Sequence, residues 1–468
     1  MQVVNILFIN NLKSLLEKRN MNEVEVGDDF EEIESGYEDL EDLEEMNNNI
    51  RLFQRLNVPQ EYIDEYIRNY LERDKNTYIF DESFNEEISD EIYEKLKLSK
   101  EIIFNDVFDK LIDFTKIENS DVIKIIHFGK EFNQPIYNLP QNIEELHFSL
   151  KFNKEINLPS SLKILSFNRK SDFNQPLNNI PCGLVKLDLG RKFNQPLPNL
   201  PSTLQRLSFG MNFNQPLLEL PDSITDLSFC NNIKFNFPIT LPRSLVNLHL
   251  GYVFNQPIHN FPISLKKLHL GREFDQEIIN YPPELEVLRY SNNFKHQVNN
   301  LPNSLTCLRF GDDFNQVINY PSNLKELTFG KRFNQQIDNL PNTITFLQFG
   351  NNFNQKVDNL PNSIIRLYLG KYFDQSIDFL PSNIKHLIFG NYFNQHVDNL
   401  PNKLEYLRFG DMFNQNVDNL PDSIRILYFG RFFQQEITKF PANLERIHLY
   451  DNYTQNLNLP NNVELKRR

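Results

Sequence analysis

Gly410-Asp411-Met412-Phe413-Asn414-Gln415-Asn416-Val417-Asp418-Asn419-Leu420-Pro421-Asp422-Ser423-Ile424-Arg425-Ile426-Leu427-Tyr428-Phe429 is a phrase that the chain repeats, and Gly430 begins the next copy. Its anchor aromatic recurs from Phe132 and Phe152 through Phe433 and Tyr453, in 17 copies mostly 20 residues apart. A fixed period of this size predicts a solenoid, in which a unit buries its apolar face only by stacking on its neighbours. Ile424, Leu427 and Phe429 have the spacing of one short strand with its entry. Alternation places Leu427 and Phe429 on one face, and Ile426 and Tyr428 on the other. Phe413, Val417 and Leu420 supply the remaining inward residues.

Pro421 lacks an amide donor, which suits the approach to a strand. Glycine follows the strand in 12 of the 17 copies, although the whole chain has only 15 glycines. That implies either a positive φ or a tight backbone approach at the corner. Ser149, Asn168, Cys230, Ser291 and Tyr450 take the slot elsewhere, and distorted corners are expected there. An Asn follows the anchor at Asn133, Asn255, Asn414 and elsewhere. Asp275, Lys295, Asp374, Gln434 and Thr454 share its slot, so a structural ladder of inward amides is expected there rather than a catalytic Asn.

Phe193-Asn194-Gln195-Pro196-Leu197 and Phe254-Asn255-Gln256-Pro257-Ile258, set in the Leu-Pro/Leu/Leu/Phe-Gly frame, resemble the FNIP repeat over residues 120–465. That family is similar to leucine-rich repeats and occurs in proteins of amoebae and their giant viruses. The resemblance implies a binding array rather than an enzyme, joined in several members to an F-box. It would place a viral member in the host cytoplasm, at a virus–host interaction. The expected fold is a β-rich repeat solenoid, a leucine-rich-repeat-like right-handed coil. It has one parallel sheet, short irregular outer segments and a small helical N-terminal region.

The net charge is −14, and residues 23–46 hold 13 acidic side chains without Lys or Arg. No basic stripe of a nucleic-acid binder is present. Cys182, Cys230 and Cys307 are too scattered for a disulfide framework or a zinc site, and the expected setting is reducing, intracellular and cytoplasmic. No stretch suits a signal peptide or a membrane span.

In chain order, residues 1–48 read as an N-terminal helix followed by an acidic disordered run. Residues 49–75 read as a helical cap, with Tyr62, Tyr66, Ile67 and Tyr70 at helical spacing. Val58-Pro59-Gln60-Glu61-Tyr62 also resembles the opening of an F-box. Residues 76–118 repeat the strand-and-anchor spacing at Phe84 and Phe108, giving two degenerate leading coils. A helix is expected on the outside of the first coil, over residues 90–98. Residues 119–468 form the regular solenoid. Extra residues before Phe173 and Phe235 are expected to bulge as loops on one edge.

The outward strand positions are mostly small or polar in the early copies. In the late copies they gather Phe346, Arg366, Tyr368, His386, Ile388, Tyr406, Arg408, Ile426 and Tyr428. Aromatics and Arg on a rigid surface are common anchors of protein interfaces, so this is the expected partner-binding face. Exposed strands also favour such residues for their own sake. His249 and His269 stand one coil apart without a third ligand, so no metal is expected. Asp188, Asp226 and Glu326 are too dispersed to suggest the paired acids of a glycosidase. No catalytic residue and no cofactor is expected. Two functions follow from these residues and the resemblance. One is a non-enzymatic scaffold for an unknown protein partner. The other is a substrate adaptor of a ubiquitin ligase, recruiting a Skp1-like protein through residues 50–100.

Overall fold

The computed structural model describes residues 76–468 except 218, 230 and 231. The helix, acidic run and F-box-like segment expected within residues 1–75 lie outside the described residues, as does Cys230. Residues 76–468 form one compact unit.

That unit is a stack of coils. Each coil contributes one short strand, from β1 (Thr77–Ile79) to β20 (Glu464–Arg467), and the strands form a single 20-stranded sheet. Each strand pairs in parallel with the next in sequence, so the solenoid with one parallel sheet is as expected. Register is set by the inward leucines: Leu387 faces Leu407, and Leu407 faces Leu427. A slip of one residue would turn every Leu to solvent.

The core is two columns of stacked rings beside these leucines. Strand-end rings such as Phe389 and Phe409 lie 5.6 Å apart at 4°. The anchor rings Phe393 and Phe413 lie 6.1 Å apart at 4°. Within a coil, Phe409 and Phe413 approach to 3.7 Å. Beyond Asn76, helix among the described residues is limited to α1 (Asp90–Leu96) and one 3-10 turn at Phe114–Lys116. In α1, Ser89 accepts the Ile92 N–H, Asp90 and Glu91 sit in the first turn, and Tyr93 and Leu96 are buried.

Of the two reasons for a corner glycine, close approach is the operative one. A Cβ added at Gly410 would lie 2.1 Å from the carbonyl oxygen of Gly390, and one at Gly390 would lie 2.0 Å from that of Gly370. One of the replacements finds a partner of its own. Ser291 is buried in the slot and its hydroxyl donates to the Phe274 carbonyl. Each insertion carries one polar residue into a fully buried position, Ser171 before Phe173 and Asn232 before Phe235, while Arg169 and Lys170 turn outward in the first. Asn232 Nδ2 donates to the carbonyls of Gly210 and Phe213 at 2.8 and 2.9 Å, and its Oδ1 accepts from Lys234 and Phe235 at 2.8 and 2.7 Å. Four bonds from one amide explain why the loop folds inward.

The asparagine ladder exists, with one correction: its side chains are half-buried or exposed on the rim rather than inward. The backbone N–H of Asp374 donates to Asn354 Oδ1 at 2.9 Å, that of Asn394 to Asp374 Oδ1 at 2.9 Å, and that of Asn414 to Asn394 Oδ1 at 2.9 Å. The following Gln reaches the same oxygen, as Gln375 Nε2 does on Asn354 at 3.1 Å. Lys295 has no acceptor, and it pairs with Asp275 at 3.0 Å instead. A second ladder was not foreseen. The hydroxyls of Ser363 and Ser423 each donate at 2.7 Å to the preceding coil's strand-entry carbonyl, on Ile344 and Leu404.

Two substitutions test this account. Gly410→Ala should lower unfolding stability by about 1–3 kcal/mol through overpacking, whereas Gly183→Ala, which meets nothing within 4 Å, should leave it unchanged in denaturant titrations. Asn354→Ala should cost about 1–3 kcal/mol and speed hydrogen exchange at the Asp374 amide. Asn354→Asp, which keeps the acceptor, should do neither.

Candidate protein-interaction face

Each short strand presents one inward Leu between two outward residues. The backbone ladder holds those outward residues in columns, so any patch on this face is made by adjacency of coils. The late columns are continuous. Phe346 pairs in register with Arg366, Arg366 with His386, His386 with Tyr406 and Tyr406 with Ile426. Beside them run Tyr368, Ile388, Arg408 and Tyr428 in the same order. The Arg366 guanidinium lies 5.8 Å from the Phe346 ring centre, and Phe346 meets Tyr368 edge-on at 5.3 Å. His386 and Tyr406 rings are 5.7 Å apart, and Tyr406 and Tyr428 are 5.4 Å apart. The structure therefore brings all nine residues together.

It does not leave them all open. Arg366 is exposed, whereas Phe346, Tyr368, His386, Ile388, Tyr406, Arg408 and Tyr428 are half-buried by one another. Ile426, expected to face outward, is buried at 7% exposure because Tyr406 and Arg446 flank it in register. Burial also sets the electrostatics. It lowers the His386 pKa, with Arg366 adding to the effect. It raises the Tyr406 hydroxyl well above the ordinary range. His448 stacks on Tyr428 at 3.8 Å and 12°; burial, then Arg468, Arg446 and Lys466, hold its pKa down to about 4.

The open apolar surface lies one step further along each coil, at the corner the strand runs into. Tyr372, Tyr392, Met412 and Phe432, each just before its anchor phenylalanine, are 45%, 47%, 43% and 51% exposed. Cross-coil bonds from the backbone N–H of each, 2.8 to 3.0 Å long, hold them in a row. Tyr372 and Tyr392 rings are 5.0 Å apart, and Lys371 and Arg431 lie over Tyr372 and Phe432. The signal was present in the sequence, as the residue preceding the anchor in four successive copies.

At the other end of the sheet, His127 and His147 stack at 4.3 Å and 7°. Their Nε2 atoms meet Glu101 at 2.9 Å and Glu145 at 3.3 Å, and the hydrogen bonds hold both carboxyls below their usual range. His249 and His269 lie edge-on at 5.1 Å. Among the described residues no three His, Cys, Asp or Glu converge on a metal-binding set. Asp188, Asp226 and Glu326 stand on separate strands, with Asp188 paired to Lys186 at 3.2 Å and Asp226 bonded to Asn247 at 2.6 Å. Burial pushes the Cys307 thiol up to about 11, away from the range of a reactive thiolate.

The FNIP Repeat family model matches residues 120–151, 193–232, 254–293, 319–352, 353–392 and 376–412. An FNIP repeat-containing protein of Dictyostelium discoideum is 48% identical over 58 residues, 12% of this chain and 15% of that protein. This chain thus spans only about 15% of the curated relative's length. Among solved structures, the circular leucine-rich-repeat protein CroV588 is 31% identical, with a TM-score of 0.49 over 84% of this chain and 79% of that one. YopM from Yersinia enterocolitica is 17% identical, with a TM-score of 0.44 over 91% of this chain and 99% of that one.

The late face should respond to pH through His448. Unfolded, this ring protonates near 6.5; folded, it does so at about 4. Between those values the unfolded chain binds more protons, so stability is complete above the upper value and falls as pH drops toward the lower one. Protection factors over Arg446–Leu449, corrected for intrinsic exchange at each pH, should fall from pH 7 to pH 5, and His448→Phe should remove that fall.

Proposed function

Since the chain carries FNIP repeats, we propose that it is a non-enzymatic scaffold whose protein partner seats on the late half of the sheet face and the adjoining corner. The observation that carries this reading is the row Tyr372, Tyr392, Met412 and Phe432. Four successive coils turn large apolar side chains to solvent there, beside the packed aromatic and Arg patch. A contiguous exposed apolar row on a stiff backbone is costly to solvate, and it loses little entropy on docking. Aromatics and Arg are the residues that most often dominate binding energy. The repeated side chains are consumed by the stack, which leaves selectivity to these variable columns. The free thiols of Cys182 and Cys307 fit a reducing compartment.

The ligase-adaptor reading rests on Val58-Pro59-Gln60-Glu61-Tyr62 and the family resemblance. Part of its recruiting window, residues 76–100, is the first coil of the sheet with α1 on it. A working F-box would therefore depend on the residues before that coil.

With the full chain as bait, wild type should retain a protein that the Tyr372→Ser/Tyr392→Ser/Phe432→Ser variant loses. Tyr406→Ala with Arg408→Ala should lose the same protein, with melting curves close to wild type in both cases. Retention by both variants rules out this face. Recovery of a Skp1-like protein that is insensitive to both would favour the adaptor reading.

A further inference from the structure

The asparagine ladder leaves a chemical residue on the rim. In Asn133, Asn153, Asn174 and Asn194 the carboxamide oxygen accepts the next coil's backbone N–H at 2.8–2.9 Å. The assignment has no freedom, because a backbone amide only donates. Each Nδ2 therefore points away from the ladder, and none has a partner among the described residues. All four asparagines line one open groove of about 510 Å³.

The other bank of that groove is the column before the anchor phenylalanines, which carries Lys151, Asp172, Lys192, Asn212 and Lys234 here. Asp172 holds Lys192 at 2.9 Å, and that hydrogen bond keeps its carboxyl below the usual range. The ammonium groups of Lys151 and Lys234 are in exposed residues and make no ion pair among the described residues. The bank thus offers three cations against one anion, over a floor of unused amide donors. Elsewhere the same column is acidic, at Glu273 and Asp313, or apolar, at Tyr372 and Tyr392. The three lysines fall within five successive copies, with Glu131 in the copy before them and Arg332 recurring later in the column.

The repeat of the donors favours a repeating ligand. Anchor rings beneath the groove step by 6.0, 6.1 and 6.3 Å, from Phe152 to Phe173, Phe193 and Phe213. Side chains on one edge of an extended peptide recur at roughly 6.6–6.8 Å. We propose that this groove binds an extended acidic peptide laid across the coils. Alternate Asp or Glu carboxylates accept from the asparagine Nδ2 groups and the lysine ammoniums. A single strand of nucleic acid is a poorer fit, since no aromatic side chain lines the groove to stack a base.

The test is fluorescence anisotropy of a labelled peptide alternating glutamate and serine, titrated with the full chain at low salt. Binding should weaken by roughly tenfold or more in Lys151→Glu/Lys234→Glu, and in the milder Lys151→Gln/Lys234→Gln if the first variant melts early. Asp172→Asn should tighten it. Lys356→Glu/Lys439→Glu, with the same change of net charge away from the groove, should leave it near wild type. The proposal is overturned by an absence of peptide binding, by an equal loss in the charge-matched control, or by tighter binding of a single-stranded oligonucleotide of the same charge.

Discussion

At every regular corner, the carbonyl oxygen of one coil occupies the space that a Cβ of the next coil would need. This contact fixes the stacking distance, and the other interactions are built to that pitch. The inward leucines meet in register because the corners do. The phenylalanine rings stack nearly parallel because the leucines do. A displaced corner would pull the asparagine oxygen away from the next backbone amide and the serine hydroxyl away from the next carbonyl. Each interaction is modest, at about 0.5–1.5 kcal/mol for a typical hydrogen bond. The stack is held by their simultaneous satisfaction, which the corner enforces.

How much could be read beforehand depended on whether a residue's role repeats. Leu427, Phe429 and Phe413 do the same thing in every coil, so their period alone specified the parallel sheet and the core. The corner glycine was legible as a constraint, but steric approach and positive φ leave the same mark in a sequence. Only the distance from Gly410 to the Gly390 carbonyl separates them. The ladder was legible as well, but its placement on the rim was not. An amide that serves a backbone group does not have to be buried to do so.

The site was harder, because it is made by neighbours. Strand alternation put Ile426 on the outer face, where it does lie. Its burial comes from Tyr406 and Arg446, one coil to either side, and alternation within a strand cannot see across coils. The same limitation hid the row from Tyr372 to Phe432 and the stacked His127 and His147. Each is ordinary in its own copy and becomes a feature only when copies are laid side by side. Asn232 shows the opposite case: two extra residues look like a loop until the amide is seen to satisfy four backbone groups.

One consequence of the wiring concerns how such a chain can change over time. The strand pairings, the two ring columns and the asparagine ladder join a coil only to its immediate neighbours. A duplication or loss of one whole coil would therefore leave every type of bond intact at the seam. Extra residues within a copy are taken up at the corner, as before Phe173 and Phe235, while the leucine register continues unbroken. The array can thus be lengthened or trimmed in quanta. Surface columns can drift between such events, so that one frame carries a lysine run in one segment and an aromatic run in another.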